Sequence, residues 1–292
     1  MRKSSLRLLG AGLVAALALT ACGGSGGGQT DVKVAENPKF PAGSSMAKFA
    51  KAKKIKIGIK FDQPGIGYKK PGTDTPTGFD VAMAEIIAGG MGIEPKNIEW
   101  VETVSKNREP FLQKGTVDLV LASYSITPER RQVVGQAGPY FVTGQGLLVR
   151  KDDKSIKSGA DLKGKKVCSV TGSTSLKQVE EKYGANPAPF GSYSECVTQL
   201  KNKSVDAVTT DEAILQGYAA EDKDLVTVGK PFTEERYGIG FKKGDTAMCK
   251  YLTDSINKAV KDGDWKKAFD ATLGKATDVK APAAPKPDPS CQ

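Results

Sequence analysis

The chain has 292 residues, with 43 Lys and Arg against 33 Asp and Glu, a formal net charge of +10, five Cys and no His. Without imidazole there is no Ser-His-Asp triad, no Cys-His dyad and no HExxH zinc site, which disfavours covalent and metal catalysis. The length suits two lobes of ordinary size, and the basic residues are scattered among acids, as in Glu234-Glu235-Arg236, without interleaved aromatics, which argues against a nucleic-acid partner.

Arg2, Lys3 and Arg7 precede an apolar run from Leu8 to Leu19, the layout of an export signal and too short to span a bilayer as a helix. The run ends Leu19-Thr20-Ala21-Cys22, which resembles the lipobox of bacterial lipoproteins, where a signal peptidase cuts before the Cys and the sulfur carries a diacylglyceryl group. Residues 1–21 are therefore expected to leave, which lowers the charge to +7, and Cys22 is expected to hold the protein on the outer face of the cytoplasmic membrane. Gly23-Gly24-Ser25-Gly26-Gly27-Gly28 is a flexible tether; residues 22–45, with Pro38 and Pro41, read as acylated Cys and linker. In an oxidising compartment the remaining Cys168, Cys196, Cys249 and Cys291 allow three pairings. Sequence proximity favours Cys168 with Cys196 and Cys249 with Cys291. None of the four stands in CxxC spacing, so no metal or other cofactor is expected.

Met46, Phe49, Ala50 and Lys53 sit at helical spacing and lead into an alternating strand, Lys54 to Ile59. Gly78-Phe79-Asp80 opens a helix with Asp80 as its expected cap and Val81, Met83, Ala84, Ile86 and Ile87 as its apolar face. A strand at Ile98–Val101, a short helix at Arg108–Lys114 and a strand at Val117–Ala122 follow. Strands alternating with helices predict an α/β fold with mainly parallel sheets. Leu112-Gln113-Lys114-Gly115-Thr116-Val117-Asp118 is echoed by Leu200-Lys201-Asn202-Lys203-Ser204-Val205-Asp206, as two lobes of similar construction would produce. The second lobe is expected to begin with strand Lys165–Val170, the loop Thr171–Ser175 and a helix to Tyr183. The chain returns to the first lobe near Tyr237–Phe241, forms an amphipathic helix over Lys258–Leu273, and ends in a Pro/Ala/Lys tail that only Cys291 could tie down.

In Ala122-Ser123-Tyr124-Ser125-Ile126-Thr127-Pro128-Glu129-Arg130, hydroxyls at the carboxyl end of a strand meet an Arg one turn into a helix, with Thr127 as cap and Pro128 at a tolerated first-turn position. That is an anion site at the place where open α/β sheets bind ligands. Together with Gly78-Phe79-Asp80-Val81, Gly138-Pro139-Tyr140, Leu147-Leu148-Val149-Arg150, Asp161-Leu162-Lys163-Gly164-Lys165 and Gly172-Ser173-Thr174, this segment resembles the family 3 solute-binding proteins, the polar amino-acid receptors of bacterial ABC transporters, over Lys54–Leu273. The resemblance implies the type II periplasmic-binding-protein fold, with two α/β lobes, a ligand cleft and a two-segment hinge near Val142–Leu148 and Phe232–Gly240. It implies lobe 1 from residues 46–142 and 236–275, lobe 2 from 143–235, and a tail over 276–292. By the same resemblance Arg130 clamps the ligand's α-carboxylate with Ser123, Ser125 and Thr174, and Asp211 receives the α-ammonium. This agrees with the cost of burying an unpaired charge.

Ser105-Lys106-Asn107-Arg108 and Lys60 set the expected specificity. Amino-acid receptors for neutral or cationic side chains usually place an aromatic at Ser105, whereas Ser-x-Asn-Arg resembles the glutamate/aspartate receptors, with Lys60 where those carry a further cation. Lys60–Gly65 with Cys168 and Cys196 is most similar to the glutamate-binding lipoproteins of actinobacteria. The absence of His removes one contact of the aspartate-preferring subgroup and also predicts binding nearly flat between about pH 6 and 8. The resemblance thus implies a monomeric, non-enzymatic receptor that takes L-glutamate to an ABC permease. Its rivals are glutamine or broader polar amino-acid binding, a ligand-presenting sensor for a membrane kinase, and a dehydratase of cyclic acids, which would need a free general acid in the cleft.

Overall fold

The computed structural model describes residues 32–290. The expected signal segment, Cys22, the whole Gly23–Gly28 tether and Cys291 lie outside the described residues.

In chain order the elements are α1 (Ser45–Ala52), β1 (Ile55–Ile59), the short hairpin β2 (Asp62–Gln63) and β3 (Gly67–Tyr68), α2 (Phe79–Gly90), β4 (Ile98–Glu102), α3 (Arg108–Lys114), β5 (Leu119–Val120), α4 (Pro128–Val133) and β6 (Gly135–Thr143). The chain then crosses to the second lobe with β7 (Gln145–Arg150), β8 (Lys166–Val170), α5 (Thr174–Lys182), β9 (Asn186–Phe190), α6 (Tyr193–Lys201), β10 (Ala207–Asp211), α7 (Glu212–Glu221) and β11 (Leu225–Val228). It returns with β12 (Glu235–Phe241), α8 (Thr246–Lys261) and α9 (Asp264–Phe269).

Two five-stranded sheets result, in the orders β4-β1-β5-β12-β6 and β11-β7-β10-β8-β9. Parallel pairing joins β4, β1 and β5 in the first and β10, β8 and β9 in the second. The expected mainly parallel sheets are therefore mixed: β12 and β6 in the first, and β7 and β11 in the second, pair antiparallel. The reason is topological. β12 and β7 enter their sheets directly from the other lobe, and only a helical crossover from a neighbouring strand would make them parallel.

The echoed segments occupy equivalent places, because β5 and β10 are the central strands of the two sheets. Asp118 accepts the Lys56 backbone N–H at 2.8 Å, and Asp206 accepts that of Lys166 at 2.8 Å. In each lobe the same Asp pins the first strand to the turn before the central one.

Lobe 1 is organised around Phe79 at the start of α2, which meets Tyr140, Phe141, Trp265 and Phe269 at centroid distances of 5.4–6.2 Å. Lobe 2 carries the Cys168–Cys196 disulfide between β8 and α6, with Cα atoms 5.5 Å apart, as expected. Cys249 is disulfide-bonded as well.

Four local expectations change. Asp80 is not the cap of α2: Gly78 holds that position, and Asp80 turns its buried carboxylate towards Ser123 and Tyr140. The helix expected over Lys258–Leu273 begins at Thr246 and breaks at Gly263, whose left-handed φ of 79° separates α8 from α9. Linker residues 32–44 are partly strapped to lobe 1, the Ala35 N–H donating to Gly89 O at 2.9 Å and Phe40 packing on Tyr251. The tail has contacts other than a cysteine, since the Asp288 N–H donates to Gly138 O at 2.8 Å and its carboxylate lies 3.7 Å from Arg131.

Candidate ligand-binding cleft

The first wall of the cleft is built at the carboxyl end of β5. Ser123 has a left-handed φ of 42°, which a serine adopts only when its surroundings hold it there. Its N–H donates to Asp80 Oδ2 at 2.8 Å, and Tyr140 donates to Asp80 Oδ1 at 2.6 Å. Arg108, at the start of α3, donates to the carbonyls of Ser105, Ala122, Ser123 and Gly172, each at 3.1 Å.

Thr127 caps α4 by accepting the Arg130 N–H at 3.2 Å, and Pro128 takes the first helical position, as expected. Arg130 is thereby turned into the cleft. It donates to Ser125 O at 2.7 Å and Gly172 O at 3.0 Å, and its Nε lies 3.1 Å from Glu109 Oε1. The Tyr124 ring lies beneath both guanidinium groups, at 4.6 Å from Arg108 and 5.0 Å from Arg130, and its hydroxyl donates to Glu109 at 2.9 Å. Lys60, just beyond β1, donates to Ser105 Oγ at 2.8 Å. Lys60 and Arg108 are 3 % and 2 % exposed, so neither is a solvated surface charge.

The opposite wall comes from lobe 2. Ser173 caps α5, accepting the Leu176 N–H at 3.0 Å, and Thr174 donates to Glu235 at 3.1 Å. Asp211 stands at the junction of β10 and α7 but makes no capping hydrogen bond with its side chain. Tyr237 donates to its Oδ2 at 2.7 Å, while the buried Oδ1 has no hydrogen-bond partner. Asp211 thus holds the N-cap position of α7 without a side-chain capping bond, and one oxygen of its buried, cleft-lining carboxylate has no donor.

Ser105, Arg108, Ser123, Ser125, Arg130, Thr174 and Asp211 line one narrow, tightly closed cleft. Lys60 stands behind Ser105. Gly172 O of lobe 2 accepts from both arginines of lobe 1, so the cleft is closed.

Burial dominates the electrostatics. It pushes Lys60 down to about 7, with Arg108 as the next cause, and Arg108 down to about 10, with Arg130 next. It pushes Asp211 up to about 7, assisted by the neighbouring Glu235. A site without His therefore still carries groups that titrate near neutrality, which overturns the reasoning behind a flat pH response.

Tyr124, Glu109, Tyr193 and the Gly172 carbonyl were not singled out as site groups from the sequence. Tyr124 stands inside the Ser123–Arg130 motif and could have been found there. Gly172 opens the Gly172-Ser173-Thr174 motif and could have been found likewise, whereas Glu109 and Tyr193, which also lines the cleft, arrive through long-range packing.

Residues 55–275 match the model of the bacterial extracellular solute-binding proteins, family 3. The chain belongs to this family. It is 36% identical over 287 residues to the glutamate-binding protein GluB of Corynebacterium efficiens, covering 94% of this chain and 92% of that protein. It is 39% identical over 259 residues to the ABC transporter glutamine-binding protein GlnH of Bacillus subtilis, covering 88% and 92%. The solved solute receptor for L-cysteine of Neisseria gonorrhoeae superposes with a TM-score of 0.77 at 28% identity, covering 83% of this chain and 99% of that one. The fold of this family 3 protein is that of the type II periplasmic amino-acid-binding proteins. Among the described residues no helix is long and apolar enough to cross a membrane.

Proposed function

We propose that this protein is the lipid-anchored receptor of an ABC amino-acid importer and that its ligand is L-glutamate. One observation carries the choice of ligand. Among the described residues, Lys60 and Arg108 are buried beside the cavity without a salt bridge to any acid. Arg108 is satisfied only by carbonyls and Lys60 by a hydroxyl. Asp62 and Asp80 act on Lys60, and Glu109 on Arg108, only through space, and two buried cations beyond Arg130 that make no ion pair favour a ligand with a second carboxylate.

In this reading Arg130 holds the α-carboxylate with Ser123, Ser125 and Thr174, and Asp211 receives the ammonium on its unpartnered Oδ1. Ser105, Arg108 and Lys60 read the side chain. Lobe 1 comprises residues 46–142 and 236–275, lobe 2 residues 143–235, and the two crossings between them are the hinge. The monomeric receptor releases its ligand unchanged to permease subunits. Cys22 tethers it after removal of residues 1–21, and Cys22→Ser is expected to move the protein from the membrane fraction to the medium. The names of the Corynebacterium and Bacillus relatives support amino-acid delivery to a transporter.

Titration calorimetry with glutamate, aspartate and glutamine tests the ligand. Glutamate is expected to bind most tightly, and tighter binding of glutamine would defeat the acidic-pocket reading. Loss of labelled glutamate uptake on deletion of the protein separates import from a sensing role.

A further inference from the structure

The β2–β3 hairpin contributes no residue to the cavity lining, yet it makes a dense set of contacts with lobe 2. Asp62 Oδ2 accepts the backbone N–H of Tyr193 at 2.8 Å and that of Ser194 at 3.3 Å. These are the first two residues of α6, whose third N–H, that of Glu195, is taken by the local cap Ser192 at 3.3 Å. A helix leaves its first N–H groups without intrahelical acceptors. Here lobe 2 supplies one acceptor and lobe 1 supplies the other, so the cap of α6 is complete only when the cleft is shut.

Two further contacts reinforce the first. Tyr218 of α7 donates its hydroxyl to the Asp62 carbonyl. The Pro64 carbonyl lies directly against Gly217 of the same helix, where any Cβ would collide with it. A glycine inside a helix is otherwise unfavourable, and this one makes room for the hairpin of the opposite lobe. The receiving helix α6 is braced by the Cys168–Cys196 disulfide, and its first residue, Tyr193, lines the ligand cavity.

We propose that Asp62 and the hairpin that carries it are a catch that holds the closed cleft shut, so that they set how long the ligand stays and not which ligand is chosen. Asp62 is a positioning residue in this scheme, acting through α6. The inference rests on the proposed amino-acid binding.

The test uses Asp62→Ala and Gly217→Ala in the full chain. Each variant is expected to bind L-glutamate about ten- to a hundredfold more weakly, from the loss of charge-assisted hydrogen bonds or of close approach. Stopped-flow measurements should place the loss in faster dissociation. L-glutamine should lose the same factor, because the catch does not read the side chain. A larger loss for glutamate than for glutamine in Asp62→Ala would instead mean that Asp62 acts on the charge of Lys60, and would overturn the catch. Gly217→Ala is the sharper variant: a better helix former in the open protein should leave the ligand-free melting temperature equal or higher while affinity falls. Unchanged dissociation rates in both variants would overturn the proposal. Should the wild-type protein bind neither amino acid, the glutamate reading fails by itself. The same dissociation-rate comparison on whichever amino acid calorimetry shows the wild type to bind then decides the catch, with faster release expected from both variants and unchanged rates overturning it.

Discussion

The two walls of the cleft solve opposite problems. Lobe 1 presents three cations, Lys60, Arg108 and Arg130, that are already supported: carbonyls surround Arg108, Glu109 pairs with Arg130, and the Tyr124 ring lies under both guanidinium groups. Lobe 2 presents Asp211, with an oxygen that has no donor, and a helix start rich in hydroxyls. The cationic wall is preorganised and keeps its shape, whereas the acidic wall holds an unmet demand that a ligand ammonium would satisfy. A preorganised wall gives orientation at little entropic cost, and an unsatisfied one gives a reason to close.

Removing a support from the first wall should therefore do the most damage. Arg130→Ala is expected to weaken glutamate and glutamine alike by about 3 to 5 kcal/mol, the cost of breaking a buried charge pair. Calorimetry showing a loss for only one of the two ligands would mean that Arg130 does not hold their shared carboxylate. Covalent bracing sits close to the second wall, because the Cys168–Cys196 bridge holds α6, whose Tyr193 lines the cleft, whereas the disulfide-bonded Cys249 lies in α8. Replacing Cys168 and Cys196 by Ser should cost about 3 kcal/mol of folding stability. Denaturant titration will read this, and an unchanged midpoint would show that lobe 2 does not depend on the bridge.

Asp211→Asn sharpens the contrast further, since it should cost about 2 kcal/mol of binding for either ligand without lowering the melting temperature of the ligand-free protein. A less stable ligand-free variant would show that Asp211 supports the fold and is not held in reserve for ligand. Lys60→Met should reduce glutamate affinity by about tenfold, the cost of one hydrogen bond to a charged group, and leave glutamine almost unchanged. Equal losses would mean that Lys60 does not read the side chain.

The smallest effect is the pH profile, where the two walls pull in opposite directions. Lys60 titrates at about 7 in the ligand-free protein; a second ligand carboxylate favours its protonated form and raises its pKa in the complex, so affinity falls as pH rises above 7. Asp211 also titrates at about 7; a ligand ammonium favours its ionised form and lowers its pKa in the complex, so affinity falls as pH drops below 7. The expected profile is a bell centred near neutrality, with about threefold weaker binding one pH unit away on either side. Lys60→Met should abolish the alkaline limb alone. A flat profile in the wild-type protein would show that neither group changes protonation on binding.

How much of this was legible in the chain follows from the range of the interactions involved. Thr127, Pro128 and Arg130 were placed correctly because a cap, a first-turn proline and a side chain one turn on are decided within a few residues. The echo at Asp118 and Asp206 was legible for the same reason, as a turn whose Asp reaches back to a neighbouring strand. Asp80 was misplaced because capping was the only local role on offer, while its partners Ser123 and Tyr140 lie 43 and 60 residues away. The sheets were expected to be mainly parallel because alternation of strands and helices says nothing about which lobe a strand enters.

Sequence alone determined the α/β alternation, favoured Cys168–Cys196 among three pairings, and set the order of hydroxyls, cap, proline and arginine from Ser123 to Arg130 and the cations at Lys60 and Arg108. These depend on local propensity, spacing and residue chemistry. Tertiary structure decided that Lys60 and Arg108 are buried without an ion pair and that Gly172 reaches across to both arginines. It also decided that Asp211 keeps an oxygen free and that Asp62 completes a helix cap in the other lobe. Each of these requires two distant segments to meet at hydrogen-bonding distance, and burial then gives ordinary charges their unusual proton affinities, so no local pattern can encode them.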